Sequence, residues 1–213
     1  MKINLIILRL CVYEIRLNLF TIAITFCLFA LHLITIPLFI GLWQELLFQF
    51  HLGIIWTCIL FSFLPERFLK MDLQDGTLEF YFLSSFPLQP ILLSKLLGYW
   101  LLKISGILCC YPLLAFFYRF APSPGDFVTL ILGSFLFMLI CGIHSCLTLS
   151  LRSSDWNSLQ YLTTLPTLLP LIMLCTYIQT EKFHLLFLIG YLGLFFLIYS
   201  IIVSVTLRNV LSQ

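Results

Sequence analysis

From residue 17 to residue 44 the chain carries no Asp, Glu, Lys or Arg. A helix needs about 20 mostly apolar residues to cross a bilayer, and this stretch exceeds that requirement. The pattern recurs between Glu45 and Glu66, and again over residues 127–151, 156–180 and 183–207. Those gaps predict spans one and two, joined by a turn near Gly41, and spans four, five and six. The third span is less clean, because only Ile104 to Tyr118 is free of charge. Its helix is expected to start near Leu96, with Lys103 about one turn inside and its amine snorkelling to the headgroups. The expected fold is all-α and integral to the membrane: six transmembrane helices forming one domain over residues 1–213. Charged residues are 9% of the chain and hydrophobic residues 62%, whereas soluble chains carry about 25% charge.

Basic residues set the expected orientation, since Lys and Arg concentrate on the inner side of membrane proteins. With the N-terminus inside, Lys2, Arg9, Arg16, Arg67, Lys70, Lys95, Lys103, Arg152 and Arg208 fall inside, and only Arg119 and Lys182 fall outside. Six spans then return the C-terminus to the inner side. Residues 1–16 place Lys2, Arg9 and Arg16 at seven-residue intervals on one helical face, with Ile3, Ile6, Ile7 and Leu10 largely on another. This predicts an interfacial amphipathic helix. A secretory signal is the rival, but the following apolar stretch is too long for one and has no small-residue cleavage site.

The net charge of +2 is too small to hold a polyphosphate backbone, so nucleic acid is not an expected partner. The eight cysteines are scattered through apolar stretches without a C-x-x-C pair, and they read as small hydrophobes. With 22 Phe and only Ala23, Ala30, Ala115 and Ala121 as alanines, the composition suggests an AT-rich genome such as an organelle's.

The inner loop between spans two and three, residues 65–95, stands apart. It holds Glu66, Arg67, Lys70, Asp72, Asp75, Glu79 and Lys95, seven of the 20 charged residues. Phe68, Leu69 and Leu73 recur near helical spacing, predicting two short helices broken near Gly76, with Asp75 capping the second. Pro87 and Pro90 mark the turn into span three. Such a loop suits the docking of a soluble partner. One continuous helix would align Asp72, Asp75 and Glu79 as a divalent-cation site, but Gly76 interrupts it. The Asp75-Gly76 pair also occurs in membrane CDP-alcohol phosphotransferases, yet their further Ala-Arg and paired aspartates are missing, so the loop is not read as catalytic.

These residues resemble the haem exporter protein B family, the CcmB permease of system I cytochrome c maturation. That family's inner loop reads approximately E-R-x-F-x-x-D-x-x-D-G-x-L-E followed by L-S-x-x-P-L. Glu66, Arg67, Asp72, Asp75, Gly76, Leu78, Glu79, Leu83, Ser84, Pro87 and Leu88 match it, and Lys95 with Trp100 matches a following A-K-x-x-x-H-W stretch. A looser correspondence runs through Leu147 to Arg152 and on to Pro166 and Pro170. Two departures stand out: Tyr99 occupies the position of the family's usual His, and Ser153-Ser154 replace a Gly pair. The resemblance implies an ABC-2 exporter-like permease that pairs with a separate ABC ATPase, a haem-handling membrane subunit and a haem chaperone, within a homodimer of permeases. It assigns ATPase coupling to Glu66, Arg67, Asp72, Asp75, Gly76 and Glu79. ATP belongs to the partner, since this chain has no G-x-x-x-x-G-K-[ST] loop, and haem is the expected cargo. The chain is then not an enzyme.

His32, His51, His144 and His184 are the candidates for holding haem iron. His144, mid-span between Cys141 and Cys146, is the weak favourite, and a hydrogen bond to a neighbouring helix explains it equally well. Two alternative functions share the same fold: a lipid or drug exporter of the ABC-2 type, and a non-transporting assembly subunit that passes ATPase motion to a haem-handling partner. The composition and the family together point to the mitochondrial inner membrane, with a bacterial inner membrane as the alternative.

Overall fold

The computed structural model describes residues 2–40, 44–62, 68–83, 88–118, 124–149, 156–177 and 183–211, and these are helical apart from short turns. Ten helices follow in order: α1 Lys2–Leu17, α2 Phe20–Ile40, α3 Gln44–Ser62, α4 Phe68–Gln74, α5 Thr77–Leu83, α6 Leu88–Cys109, α7 Tyr111–Tyr118, α8 Pro124–Leu149, α9 Trp156–Tyr177 and α10 Phe183–Leu211. In hydrocarbon a backbone must satisfy its own hydrogen bonds, and charge-free apolar runs do so as helices. Four of them are long and apolar enough to cross a membrane, over Phe20–Leu38, Gln89–Cys109, Gly125–Leu149 and Leu186–Thr206. The apolar parts of α3 and α9, Gly53–Ser62 and Leu162–Thr176, are shorter. The expected turn near Gly41 lies outside the described residues.

Two helices form the centre. The spanning windows of α6 and α8 are 67% and 61% buried within the protein, against 17% for those of α2 and α10. α8 packs on α9 and α10, while α6 packs on α1, α2 and α8. Between them lies a continuous apolar core that includes Trp56, Leu96, Phe137, Leu139, Leu171 and Tyr199. Polar ties fix the register: Trp100 Nε1 donates to Ser134 Oγ at 3.0 Å, and Gln89 Nε2 donates to the Ser200 carbonyl at 3.0 Å. The exposed side chains of α2 and α10, among them Leu31, Leu38, Leu194 and Leu197, are the surface such a protein offers to lipid.

Span three differs from expectation at both ends. Its helix begins at Leu88, about two turns before Leu96, because Pro90 falls in the first turn, where its missing N–H costs nothing. It ends at Cys109, and α7 restarts at Tyr111, with Pro112 unable to supply the hydrogen bond that continuity would need. Lys103 does not snorkel to the surface. Its side chain is fully buried and its amine donates to the carbonyl of Ser62, the last residue of α3, at 3.2 Å. A cation at a helix C-terminus is favourably placed against the exposed carbonyl dipoles.

Candidate coupling segment and its buried ion triad

The charged segment folds as expected into two short helices. α4 ends at Gln74 and α5 begins at Thr77. Gly76 between them has φ +72°, a left-handed conformation that only glycine adopts without strain. Its N–H donates to the Leu73 carbonyl at 3.3 Å and its carbonyl accepts from Phe80 at 3.1 Å. Gly76 thus closes α4 and opens α5, and the capping position expected for Asp75 belongs to Gly76. Thr77 Oγ1 adds a bond to the Asp72 carbonyl at 3.1 Å.

The two faces of this segment differ. Leu69 and Leu78 are buried in the core, whereas Gln74, Asp75, Thr77, Glu79, Phe80 and Leu83 are exposed. Phe80 and Leu83 are 73% and 82% exposed, so an apolar pair lies beside the carboxylates of Asp75 and Glu79. Glu66 and Arg67 lie outside the described residues. Asp72 departs from the rest of the predicted set: it turns inward, toward α6.

There Asp72 meets Lys95. The Lys95 amine lies 2.6 Å from Asp72 Oδ1 and 3.2 Å from Glu14 Oε1. All three side chains are nearly enclosed, Lys95 at 8%, Glu14 at 7% and Asp72 at 13% exposure. Asn18 Nδ2 donates to the Glu14 carboxylate at 3.3 Å and to the Glu14 carbonyl at 3.1 Å. One amine therefore joins three elements distant in sequence: α1 through Glu14, α4 through Asp72, and α6 through its own backbone. Gly98, one turn beyond Lys95, makes the approach of α1 possible. A Cβ there would lie 3.1 Å from Glu14 Cβ and 3.4 Å from the Cys11 carbonyl. Tyr81 of α5 borders the cluster; burial chiefly, then the carboxylates of Asp72 and Glu14 acting against the pull of Lys95, push its hydroxyl above the usual 10.0.

Glu14 was not among the sequence candidates. A signal for it exists: it is the only acid before Glu45, and five residues from Arg9 it falls on the opposite side of α1 from Arg9 and Arg16. A carboxylate on the face of a helix turned away from its cations needs a partner elsewhere in the protein.

His144 lies nearer the C-terminal end of α8 than the expected mid-span position, five residues before Leu149, and its Nε2 is 3.1 Å from Thr167 Oγ1 of α9. Thr167 Oγ1 also lies 2.8 Å from the Thr164 carbonyl, so the hydroxyl bridges the imidazole and the backbone of α9. His32 donates from Nδ1 to the Leu28 carbonyl at 2.7 Å and stacks on Phe61 with ring centroids 5.0 Å apart. The side chains of His51 and His184 lie outside the described set. Among the described residues no three His, Cys, Asp or Glu side chains gather as a metal site. Asp72, Asp75 and Glu79 do not share one face, because the chain reverses its backbone twist at Gly76.

An all-helical membrane protein with a folded, charged segment tied to its central helix is the class these features define. The comparisons narrow it. The family profile described as CcmB protein matches residues 2–209. The chain is 55% identical over 208 residues to a cytochrome c biogenesis ccmB-like mitochondrial protein of Marchantia polymorpha, covering 98% of this chain and 75% of that protein. It is 49% identical over 186 residues to the protein of that name in Arabidopsis thaliana, covering 87% and 90%. Haem exporter protein B of Pseudomonas aeruginosa is 28% identical over 150 residues, covering 68% and 66%. This chain belongs to the CcmB family.

Proposed function

We propose that this chain is the permease subunit of an ABC-type haem export system serving c-type cytochrome biogenesis, in the mitochondrial inner membrane. Family membership supports the function, and the mitochondrial names of the two plant relatives support the compartment. α2, α3, α6, α8, α9 and α10 serve as the six spans, with α1 on the membrane surface and both termini on the inner side. Two copies of the chain pair in the complex. ATP is hydrolysed by a separate ATPase, haem is the cargo, and a haem-handling membrane subunit and a haem chaperone complete the system.

The observation that carries the mechanism is the two-sidedness of α4 and α5. Their outer face offers Asp75, Glu79, Phe80 and Leu83, a mixture of apolar anchor and carboxylate that suits a basic, partly apolar groove on the ATPase. Glu66 and Arg67 belong to the same proposed set of contact groups, while Gly76 fixes the angle between the short helices. The inner face is held through Asp72 to Lys95 of α6. Closure of the ATPase pushes on the outer face, and the ion triad passes that displacement to α6 and α1 together. Asp72 accordingly acts as the internal link of the segment, with Asp75 and Glu79 as the contact groups.

The test is Asp75→Ala with Glu79→Ala. Both side chains are exposed, so the fold is retained, while co-purification of the ATPase falls or its ATP turnover loses dependence on the permease. A charged contact that becomes buried at such an interface is worth about 2–5 kcal/mol when truncated. Unchanged co-purification, ATP turnover and haem-chaperone release would together refute the docking assignment.

A further inference from the structure

α1 has a second face that the triad leaves unused. Glu14 and Cys11 turn toward α6, and Leu8, Arg9, Val12, Tyr13, Arg16 and Leu17 are exposed on the other side. Five of these, all but Leu17, line a shallow groove of about 390 Å³. Arg9 and Arg16 stand seven residues apart on one face, a rise of about 10 Å, which two long guanidinium side chains can close upon a single group between them. Among the described residues no carboxylate pairs with either guanidinium. Glu14 is the one acid of this helix, and it is engaged by Lys95 and Asn18 on the far side.

The position of the groove along the chain is equally informative. α1 turns at Asn18 and Leu19 directly into the apolar window that starts at Phe20. Arg16 therefore lies one helical turn before the membrane-crossing stretch begins, and Leu17, Leu19 and Phe20 beside it are 62%, 55% and 75% exposed. Cationic groups next to an exposed apolar corner match a molecule that is anionic at one end and hydrocarbon at the other.

We infer that the outer face of α1 is a binding site for an anionic phospholipid. Arg9 and Arg16 bracket its phosphate, Tyr13 lies alongside the headgroup, and Leu8, Val12 and the Leu17–Phe20 corner receive its acyl chains. Arginine forks are well suited to phosphate oxygens. The inference rests on α1 lying at the membrane surface, as in the function proposed above, but it requires neither the ATPase nor haem.

The full chain is reconstituted in nanodiscs of phosphatidylcholine and phosphatidylglycerol, extracted into detergent, and its retained lipid quantified by mass spectrometry. Two basic side chains at such a surface set an upper bound of about 25-fold on the preference. The wild type should retain phosphatidylglycerol several-fold over phosphatidylcholine, and Arg9→Gln with Arg16→Gln should abolish that preference. Lys182→Gln with Arg208→Gln, which removes equal charge elsewhere, should leave it intact, and Arg9→Lys with Arg16→Lys should largely preserve it should the Gln variant fail to fold. Enrichment that survives in the Arg9/Arg16 Gln variant, or an equal loss in the charge-matched control, would overturn the site. Displacement of the lipid by excess inorganic phosphate would assign the groove to a free anion instead. A change in particle size without a change in lipid would assign it to a second copy of the chain. Because no ATPase is present, failure of the coupling proposal leaves this result unaffected.

Discussion

Replacing Lys95 with Met removes the cation between two enclosed carboxylates. Glu14 and Asp72, at 7% and 13% exposure, would then face each other without a counter-charge. Breaking a buried ion pair from one side costs about 3–5 kcal/mol. Asn18 continues to donate to Glu14, which places the expected loss near the lower end, at about 3 kcal/mol. Removing one carboxylate is milder, because the amine keeps the other. Glu14→Gln leaves Lys95 on both oxygens of Asp72 and still offers a carbonyl oxygen, so its cost is about 1 kcal/mol. The two effects do not add: once Glu14 is neutral, the loss of Lys95 strands one charge in place of two, and the double variant should be less destabilised than the sum of the singles. The assay is reversible unfolding in mixed micelles, followed by ATP turnover of the assembled complex. Replacing all three groups with apolar residues of similar volume should restore most of the stability yet leave turnover uncoupled from the permease. A Lys95→Met variant within about 0.5 kcal/mol of wild type, or less damaged than Glu14→Gln, would refute the triad as the tie between α1, α4 and α6.

Gly76→Val should destabilise the α4–α5 segment by about 1–2 kcal/mol through backbone strain alone, since a Cβ there meets nothing within 4 Å; Gly76→Asn should be distinctly milder, and amide exchange across residues 72–80 would report the difference. His144→Gln should leave haem transfer nearly intact, because an amide can hydrogen-bond Thr167 Oγ1 in place of the imidazole, and loss of haem-chaperone turnover in a normally assembled complex would contradict this.

The break between α4 and α5 was legible because a glycine stands between two apolar periodicities in the densest charge of the chain, so local propensity and pattern agree. The start of α6 was not legible by the same logic. Gaps between charges mark helices only when charges mark their ends, and Lys95 and Lys103 sit inside a helix because Glu14, Asp72 and the Ser62 carbonyl satisfy them. That satisfaction comes from three elements far away in sequence. Asp72 shows the same limit: its place in a charged loop suggests a surface group, and only the packing of α4 on the core turns it inward. The exposure of Asp75 and Glu79, by contrast, follows from the side on which Leu69, Leu73 and Leu78 must be buried.

The buried amines of α6 also bear on how the chain enters the bilayer. Its window has a mean hydropathy of 1.5, against 2.1, 2.2 and 2.5 for those of α2, α8 and α10. A lysine near the centre of an isolated helix opposes insertion by about 2.5–3.5 kcal/mol, so α6 released alone by a translocon would be a reluctant guest. Glu14, Ser62 and Asp72, which receive its two amines, lie earlier in the chain. By the time α6 emerges from the ribosome these three acceptors are already synthesised. α1, α3 and α4 thus supply a polar berth ready for the central helix to enter.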